Sequence, residues 1–197
     1  MKKFIEKYKI TNKIDNKIIR KEYFIKNYGK ELYFLYDIIL NYGGNIFDNG
    51  LFKIHTFEYT DKWTKLLSTY FEKEINPFKK VCFASNWQGV MYCVDYKNEN
   101  ITYFDPATCE YFNAEFSLND LFEDILINGE YDIIFEEYWK EAYNFMKIKK
   151  LDYKNSIGHK KYLHLDGKDN VKNLEIVNTE VLWEMQIQIA EKINNIK

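Results

Sequence analysis

The chain has 197 residues, of which 46% are hydrophobic and 18% aromatic, and its formal net charge is −2. Three cysteines are too few for a disulfide framework, no Ser/Gly/Pro-rich linker divides the chain, and the longest apolar run, near residues 33–40, is too short to cross a bilayer. The start of the chain lacks the uninterrupted apolar stretch of a signal peptide. We therefore expect a single domain over residues 1–197 in the cytoplasm.

The first third of the chain is predicted to be mainly helical. Hydrophobic residues recur at helical spacing in four segments, residues 2–9, 17–28, 31–41 and 59–73. The pair Gly43-Gly44 ends the third of these helices. A short strand at residues 51–55 lies between the third helix and the fourth.

The middle of the chain predicts three antiparallel strands. Residues 81–85, 90–95 and 101–104 are rich in β-branched and aromatic side chains and are bounded by Gly, Asn and Pro. With Gln88-Gly89 as a two-residue loop, Phe83 would face Val94, and Cys82, Ala84 and Cys93 would share the other side of the sheet.

The last third predicts further helices around short strands. Ser117 followed by Asp120 has the capping-box pattern that opens a helix, here to residue 127. The remaining predicted elements are a helix at 131–147, a strand at 161–165, a strand at 174–177 and a helix at 179–195. Strands that gather in the middle while helices flank them favour an α+β fold, with a central antiparallel β-meander sheet flanked by N-terminal, middle and C-terminal helices.

Charge is distributed unevenly along the chain. Residues 1–31 carry a net charge of +6, residues 105–141 carry −10, and residues 146–172 carry +5. Such asymmetry bears on partners and on association rates rather than on the fold. Solvated helix faces are the simpler explanation of the same pattern.

Candidate catalytic and metal-binding residues are few. Cys82 or Cys93 would need a base such as His55, His159 or His164, yet neither thiol is predicted at a helix N-terminus or in a basic pocket. Small buried residues on core strands are the better explanation of both cysteines. The sequence has no C-x-x-C and no phosphate-binding glycine motif, so we predict no enzyme, no cofactor and no metal site.

Nucleic-acid binding is a second class to consider. The Lys-rich N-terminus interleaves cations with Tyr8, Tyr23 and Phe24, side chains that can stack on bases. The acidic net charge and the segment of residues 105–141 count against a polyanionic ligand.

Three motifs in order resemble a known bacterial family. They are Tyr42-Gly43-Gly44 with residues 49–55, Asn86-Trp87-Gln88-Gly89 continuing to Phe104-Asp105-Pro106, and residues 167–175 followed by Glu180-Val181-Leu182-Trp183. Together they resemble the C-terminal domain of GAD-like immunity proteins of type VI secretion systems, over roughly residues 32–190. By this resemblance, residues 1–31 form a shortened GAD-like helical lead-in and residues 32–197 the immunity-type domain.

The resemblance implies a protein that binds and blocks a cognate toxin, which in some family members is a DNase. Asn86, Val90 and Cys109 stand where the family often has Asp, Arg and Gly, respectively. Because the Asp and the Arg are both absent here, no activity that depends on those two residues is carried over to this chain. The expected partner is thus a toxin with a basic surface, bound without catalysis. A regulatory or interaction module without a toxin partner is the alternative.

Two sets of residues receive predicted roles. The first set supplies carboxylates around the break between two predicted helices, as a toxin contact that speeds association: Glu123, Asp124, Glu130, Asp132, Glu136 and Glu137. We expect exposed aromatic anchors nearby. The second set is expected to be structural, at turns and sheet ends: Gly43, Gly44, Gly50, Trp87, Gly89, Asp105, Pro106 and Gly167.

Overall fold

A seven-stranded antiparallel sheet forms the centre of the computed structural model, which describes residues 1–71, 80–96, 99–129 and 131–194. Its strands follow one another in chain order: β1 (Ile10–Lys13), β2 (Asn45–Phe47), β3 (Phe52–Ile54), β4 (Lys80–Asn86), β5 (Met91–Asp95), β6 (Asn100–Asp105) and β7 (Glu110–Ser117). A separate antiparallel pair consists of β8 (Asn155–His159) and β9 (Leu174–Asn178).

Helices flank the sheet. The α-helices are α1 (Lys2–Lys7), α2 (Lys21–Tyr28), α3 (Tyr33–Tyr42), α4 (Phe57–Tyr70), α5 (Leu118–Asp120), α6 (Leu126–Asn128), α7 (Glu136–Phe145) and α8 (Thr179–Asn194). A π-helical turn, Leu121–Ile125, joins α5 to α6, and short 3₁₀ turns lie at Lys30–Leu32, Asp48–Gly50, Leu163–Leu165 and Val171–Asn173. The predicted α+β class, with helices around an antiparallel meander, is confirmed.

The predicted pairing of β4 with β5 is wrong in its register. Val81 pairs with Val94 and Cys82 with Cys93, but the register shifts between Cys82 and Ala84. This bulge turns Ala84 to the opposite face of the sheet from Cys82, so the two residues belong to different hydrophobic clusters. The connection is also longer than two residues, because the Asn86 side chain accepts hydrogen bonds from the backbone of Gln88 and Val90.

Other strand predictions fail where the pattern is short or polar. Residues 161–165 form no strand but contain a 3₁₀ turn, and the partner of β9 is β8 instead. The strands β1, β2, β7 and β8 are missed; β7 is an edge strand whose polar side chains hide its alternation.

Helix boundaries shift for identifiable reasons. The capping box at Ser117 and Asp120 is present, but a π-helical turn interrupts the helix that it opens. Thr56 caps α4 by accepting the N–H of Tyr59, so this helix begins at Phe57, two residues before the predicted start. The helix predicted at 131–147 starts only at Glu136, because Phe135 has a φ of 54°. Residues 72, 73 and 195, where two predictions end, lie outside the described residues.

The sheet separates two hydrophobic clusters. On one face, the ring of Phe4 in α1 contacts the rings of Phe47, Phe52 and Phe122, so the N-terminal segment is part of the main core. The other face carries α4 and α8 and buries a second cluster: Trp63, Leu67, Phe71, Cys82, Met91, Cys93, Phe104 and Trp183.

Lys53 ties the central sheet to the segment that leads into β8. Its side chain is fully buried, and Nζ donates hydrogen bonds to the carbonyl oxygens of Asp152 (3.2 Å), Tyr153 (3.4 Å) and Asn155. Burial lowers the pKa of the Lys53 amine to about 7, against a weaker opposing effect of Asp152. Folding therefore displaces the proton of this amine at alkaline pH.

This displacement predicts a pH dependence of stability. Between about pH 7 and pH 10 the unfolded chain holds a proton on Lys53 that the folded chain has lost, so stability rises with pH by about 1.4 kcal/mol per unit. We expect Lys53→Met to lack this contribution. Denaturant unfolding of both proteins from pH 6.5 to 9.5 measures the difference, and equal slopes in the two proteins would contradict the assignment.

Candidate functional site

An acid-rich segment follows α6 and includes the first residues of α7. We call its described residues, 129 and 131–137, the acidic turn. Asp132 accepts the N–H of Glu136, the first residue of α7, at 2.8 Å. Tyr131 is 60% exposed and Phe135 36% exposed. The acidic turn thus presents two aromatic side chains among its carboxylates.

Buried aromatic donors hold the acidic turn from inside the protein. The indole Nε1 of Trp87 donates to the carbonyl oxygen of Ile134 at 3.0 Å, and the hydroxyl of Tyr92 donates to that of Ile133. The Trp87 ring also packs against Trp139 in α7, with centroids 5.6 Å apart. Two hydrogen bonds to adjacent carbonyls therefore fix the backbone of a surface segment, a relation that the local sequence pattern does not indicate.

The predicted carboxylates divide into exposed and half-buried groups, and the exposed Glu137 forms an ion pair with Lys140 at 2.8 Å. Asp124, Asp132 and Glu137 are exposed, while Glu123 and Glu136 are half-buried. Glu130 lies outside the described residues. Asp124 lies a few residues before the acidic turn. Together with Asp132 and Glu137 it gives this region three carboxylates that face the solvent.

Cations from the N-terminal segment neutralise the half-buried pair. The N-terminal amine binds Glu123, and Glu136 lies 3.6 Å from Lys7 Nζ, 3.1 Å from Lys140 Nζ and 2.9 Å from the hydroxyl of Tyr8. Burial raises the pKa of the Glu136 carboxyl, but hydrogen bonds from Lys140 and Tyr8 outweigh it and leave the pKa below its ordinary value. These two carboxylates hold α1 and are poorly placed to face a partner.

The predicted structural residues lie at close approaches of the chain. A side-chain carbon on Gly43, Gly44, Gly50 or Gly167 would come within 2.5 Å of another heavy atom. Gly89 has more room, 3.2 Å from the Ser156 hydroxyl. Asp105, beside Pro106, accepts the N–H of Ala107 at 2.8 Å, and burial raises the pKa of its carboxyl.

The candidate nucleophile does meet a histidine, but in a buried place. Cys82 Sγ lies 3.7 Å from His55 Nδ1, and His55 Nε2 lies 3.2 Å from Ser85 Oγ. Burial raises the pKa of the Cys82 thiol and lowers that of His55 to about 3. Both groups are therefore uncharged near neutral pH, whereas a nucleophilic cysteine needs its thiolate.

The other histidines lie elsewhere. His159 is buried and contacts Asp169 at 3.1 Å, and the hydroxyl of Tyr138 donates to the same carboxylate oxygen. His164 is exposed in a 3₁₀ turn. Within the described ranges, no cluster of three or more His, Cys, Asp or Glu side chains has the arrangement of a metal site.

Comparison with known proteins identifies the fold. No protein-family model and no curated protein matches the sequence. The structure is similar to the crystal structure of Atu4351 from Agrobacterium tumefaciens, with a TM-score of 0.67 over 94% of this chain and 87% of that chain, at 15% sequence identity. The similarity supports the α+β architecture. Of the helices that the structure describes, none has the length and apolarity to cross a membrane.

Two glycines provide a matched test of the structural assignment. Gly44 (φ 86°) and Gly129 (φ 69°) share a positive φ, but a side-chain carbon at Gly44 would lie 2.5 Å from the Ile14 carbonyl oxygen, whereas at Gly129 no atom of the part of the chain that the structure describes lies within 4 Å. We expect Gly129→Ala to cost about 1 kcal/mol and Gly44→Ala roughly 2 kcal/mol more, because the paired backbone must move. Chemical denaturation measures both, and equal losses would show that close approach is unimportant.

Proposed function

We propose that this chain is a cytoplasmic immunity protein that binds and occludes a cognate bacterial toxin, without catalysing a reaction. The observation that carries the proposal is the acidic turn, where exposed aromatic side chains stand among carboxylates on a backbone fixed from within. The resemblance of three sequence motifs to GAD-like immunity proteins of type VI secretion systems supports the same class.

The composition of this surface suits contact with a basic protein. Aromatic side chains are enriched among the residues that dominate binding energy, and Tyr131 and Phe135 need no rearrangement to become accessible. Surrounding carboxylates attract a cationic partner, speed its association and reject acidic competitors. A nuclease toxin carries a basic surface for phosphate, so it fits this description.

A fixed backbone also lowers the cost of association. Trp87 and Tyr92 hold Ile133 and Ile134 before any partner arrives. Less conformational entropy is then lost on binding than if the turn had to become ordered. Occlusion by a preformed surface requires no chemistry from Cys82 or His55.

The direct test is stoichiometry. The chain should co-purify with a toxin-like protein encoded by the neighbouring gene and should inhibit it completely at a one-to-one ratio. Inhibition at far lower ratios would indicate an enzyme, and a lack of complex with the toxin would favour a regulatory module.

Charge reversal tests the electrostatic role of the acidic turn. We expect the double variant Asp124→Lys and Glu137→Lys to slow association with the toxin about tenfold at low salt. Glu123 and Glu136 are left unchanged because they hold α1, and Asp132 because it accepts the first N–H of α7. The matched control reverses Glu184 and Glu191, which are exposed acids on α8. If both variants slowed association equally, the effect would come from the net charge of the protein and not from the acidic turn.

Truncation of the aromatic anchor tests the contact itself. Tyr131→Ala should weaken the complex by about 2 kcal/mol, chiefly through faster dissociation. Tyr23 is also 60% exposed but lies in α2, so Tyr23→Ala is the control of equal exposure. Binding that survives Tyr131→Ala unchanged would place the interface elsewhere on the protein.

A further inference from the structure

A cavity of about 170 Å³ lies between α4, the start of α8 and the segment before β8. Its floor is formed by His55 and Ser85, and its walls by the rings of Tyr59, Trp63 and Tyr153. The proposed toxin contact uses none of these residues. His55 closes the first sequence motif, Ser85 directly precedes the second, and Glu180 at the mouth belongs to the third, so the motif segments converge on this cavity.

The floor offers hydrogen bonding without charge. His55 Nε2 and Ser85 Oγ are 3.2 Å apart and both residues are more than nine-tenths buried. Because the pKa of His55 is lowered to about 3, its imidazole is neutral near pH 7. A hydroxyl has one donor and two acceptor positions, and the contact with His55 occupies one of them. Ser85 therefore retains capacity for a polar group of a ligand.

The walls favour a planar ring. Tyr59 and Tyr153 meet edge to face with centroids 4.9 Å apart, and Trp63 is buried beside them. Aromatic rings pack well against one another at such distances. A cavity of about 150 Å³ in another protein holds benzene, so the volume here suits a single six-membered ring.

The mouth carries an excess positive charge. Lys62 and Glu180 form an ion pair at 2.6 Å and so cancel each other. Lys154 also lines the mouth, is exposed, and forms no ion pair with any residue that the structure describes. One ammonium group thus remains to bind an anion at the entrance.

We propose that this cavity is a binding site for a monocyclic aromatic anion. The ring packs against the side chains of Tyr59, Trp63 and Tyr153, a polar substituent contacts Ser85 at the floor, and the anionic group faces Lys154. The site is independent of the toxin contact and stands whether or not a toxin binds.

The probe is para-hydroxybenzoate, titrated into the intact protein and followed by amide chemical shifts and calorimetry. We expect saturable one-to-one binding with shifts confined to the cavity. Lys154→Met should weaken it about tenfold, the loss of one charge-assisted hydrogen bond. The control Lys150→Met, an exposed lysine nearby that does not line the cavity, should leave binding unchanged.

Two analogues separate the parts of the site. Benzoate lacks the polar substituent, so Ser85→Ala should weaken para-hydroxybenzoate and leave benzoate unaffected, with thermal unfolding confirming that the variant folds. The wild type should bind the uncharged para-hydroxybenzamide more weakly than it binds para-hydroxybenzoate. Lys154→Met should bind these two compounds with equal affinity. Absence of saturation, shifts outside the cavity, or equal binding of acid and amide by the wild type would overturn the proposal.

Discussion

Trp87 connects three parts of the molecule that are remote from one another in sequence. Its N–H donates to the carbonyl oxygen of Leu51, its own carbonyl accepts from Ile157 in β8, and its indole donates to Ile134. One buried residue therefore joins the central sheet, the two-stranded sheet and the acidic turn. Breaking either contact in which Trp87 donates would leave a buried N–H unpaired, which costs about 1–3 kcal/mol.

The same interior decides which surface charges are available. The acidic segment of residues 105–141 folds against the N-terminal helix, where the terminal amine and Lys7 meet Glu123 and Glu136. Opposite charges that are remote in sequence are thus neutralised in part across the surface of the fold. What remains exposed is a smaller group of carboxylates beside Tyr131 and Phe135.

Burial has opposite consequences for two kinds of chemistry. Around Cys82 and His55 it favours the neutral forms, which removes the thiolate that nucleophilic catalysis would need. The same desolvation strengthens hydrogen bonds to an uncharged ligand group, because water no longer competes for Ser85. Desolvation thus disfavours the thiolate and favours the neutral hydrogen bond of the proposed ligand site.

Local sequence patterns determined the meander, the amphipathic α4, the capping box at Ser117 and the α+β class, because these depend on side-chain periodicity and nearest neighbours. Tertiary structure alone decided the bulge between Cys82 and Ala84, the pairing of polar β7 at the sheet edge, and the separation of Glu123 and Glu136 from the exposed acids. The anchoring of Ile134 by Trp87 belongs to this second group. Each of these features depends on contacts between segments that are far apart in the sequence, so a short stretch of sequence does not reveal it. Several registers and pairings satisfy the local pattern equally well, and burial of the whole core selects one of them.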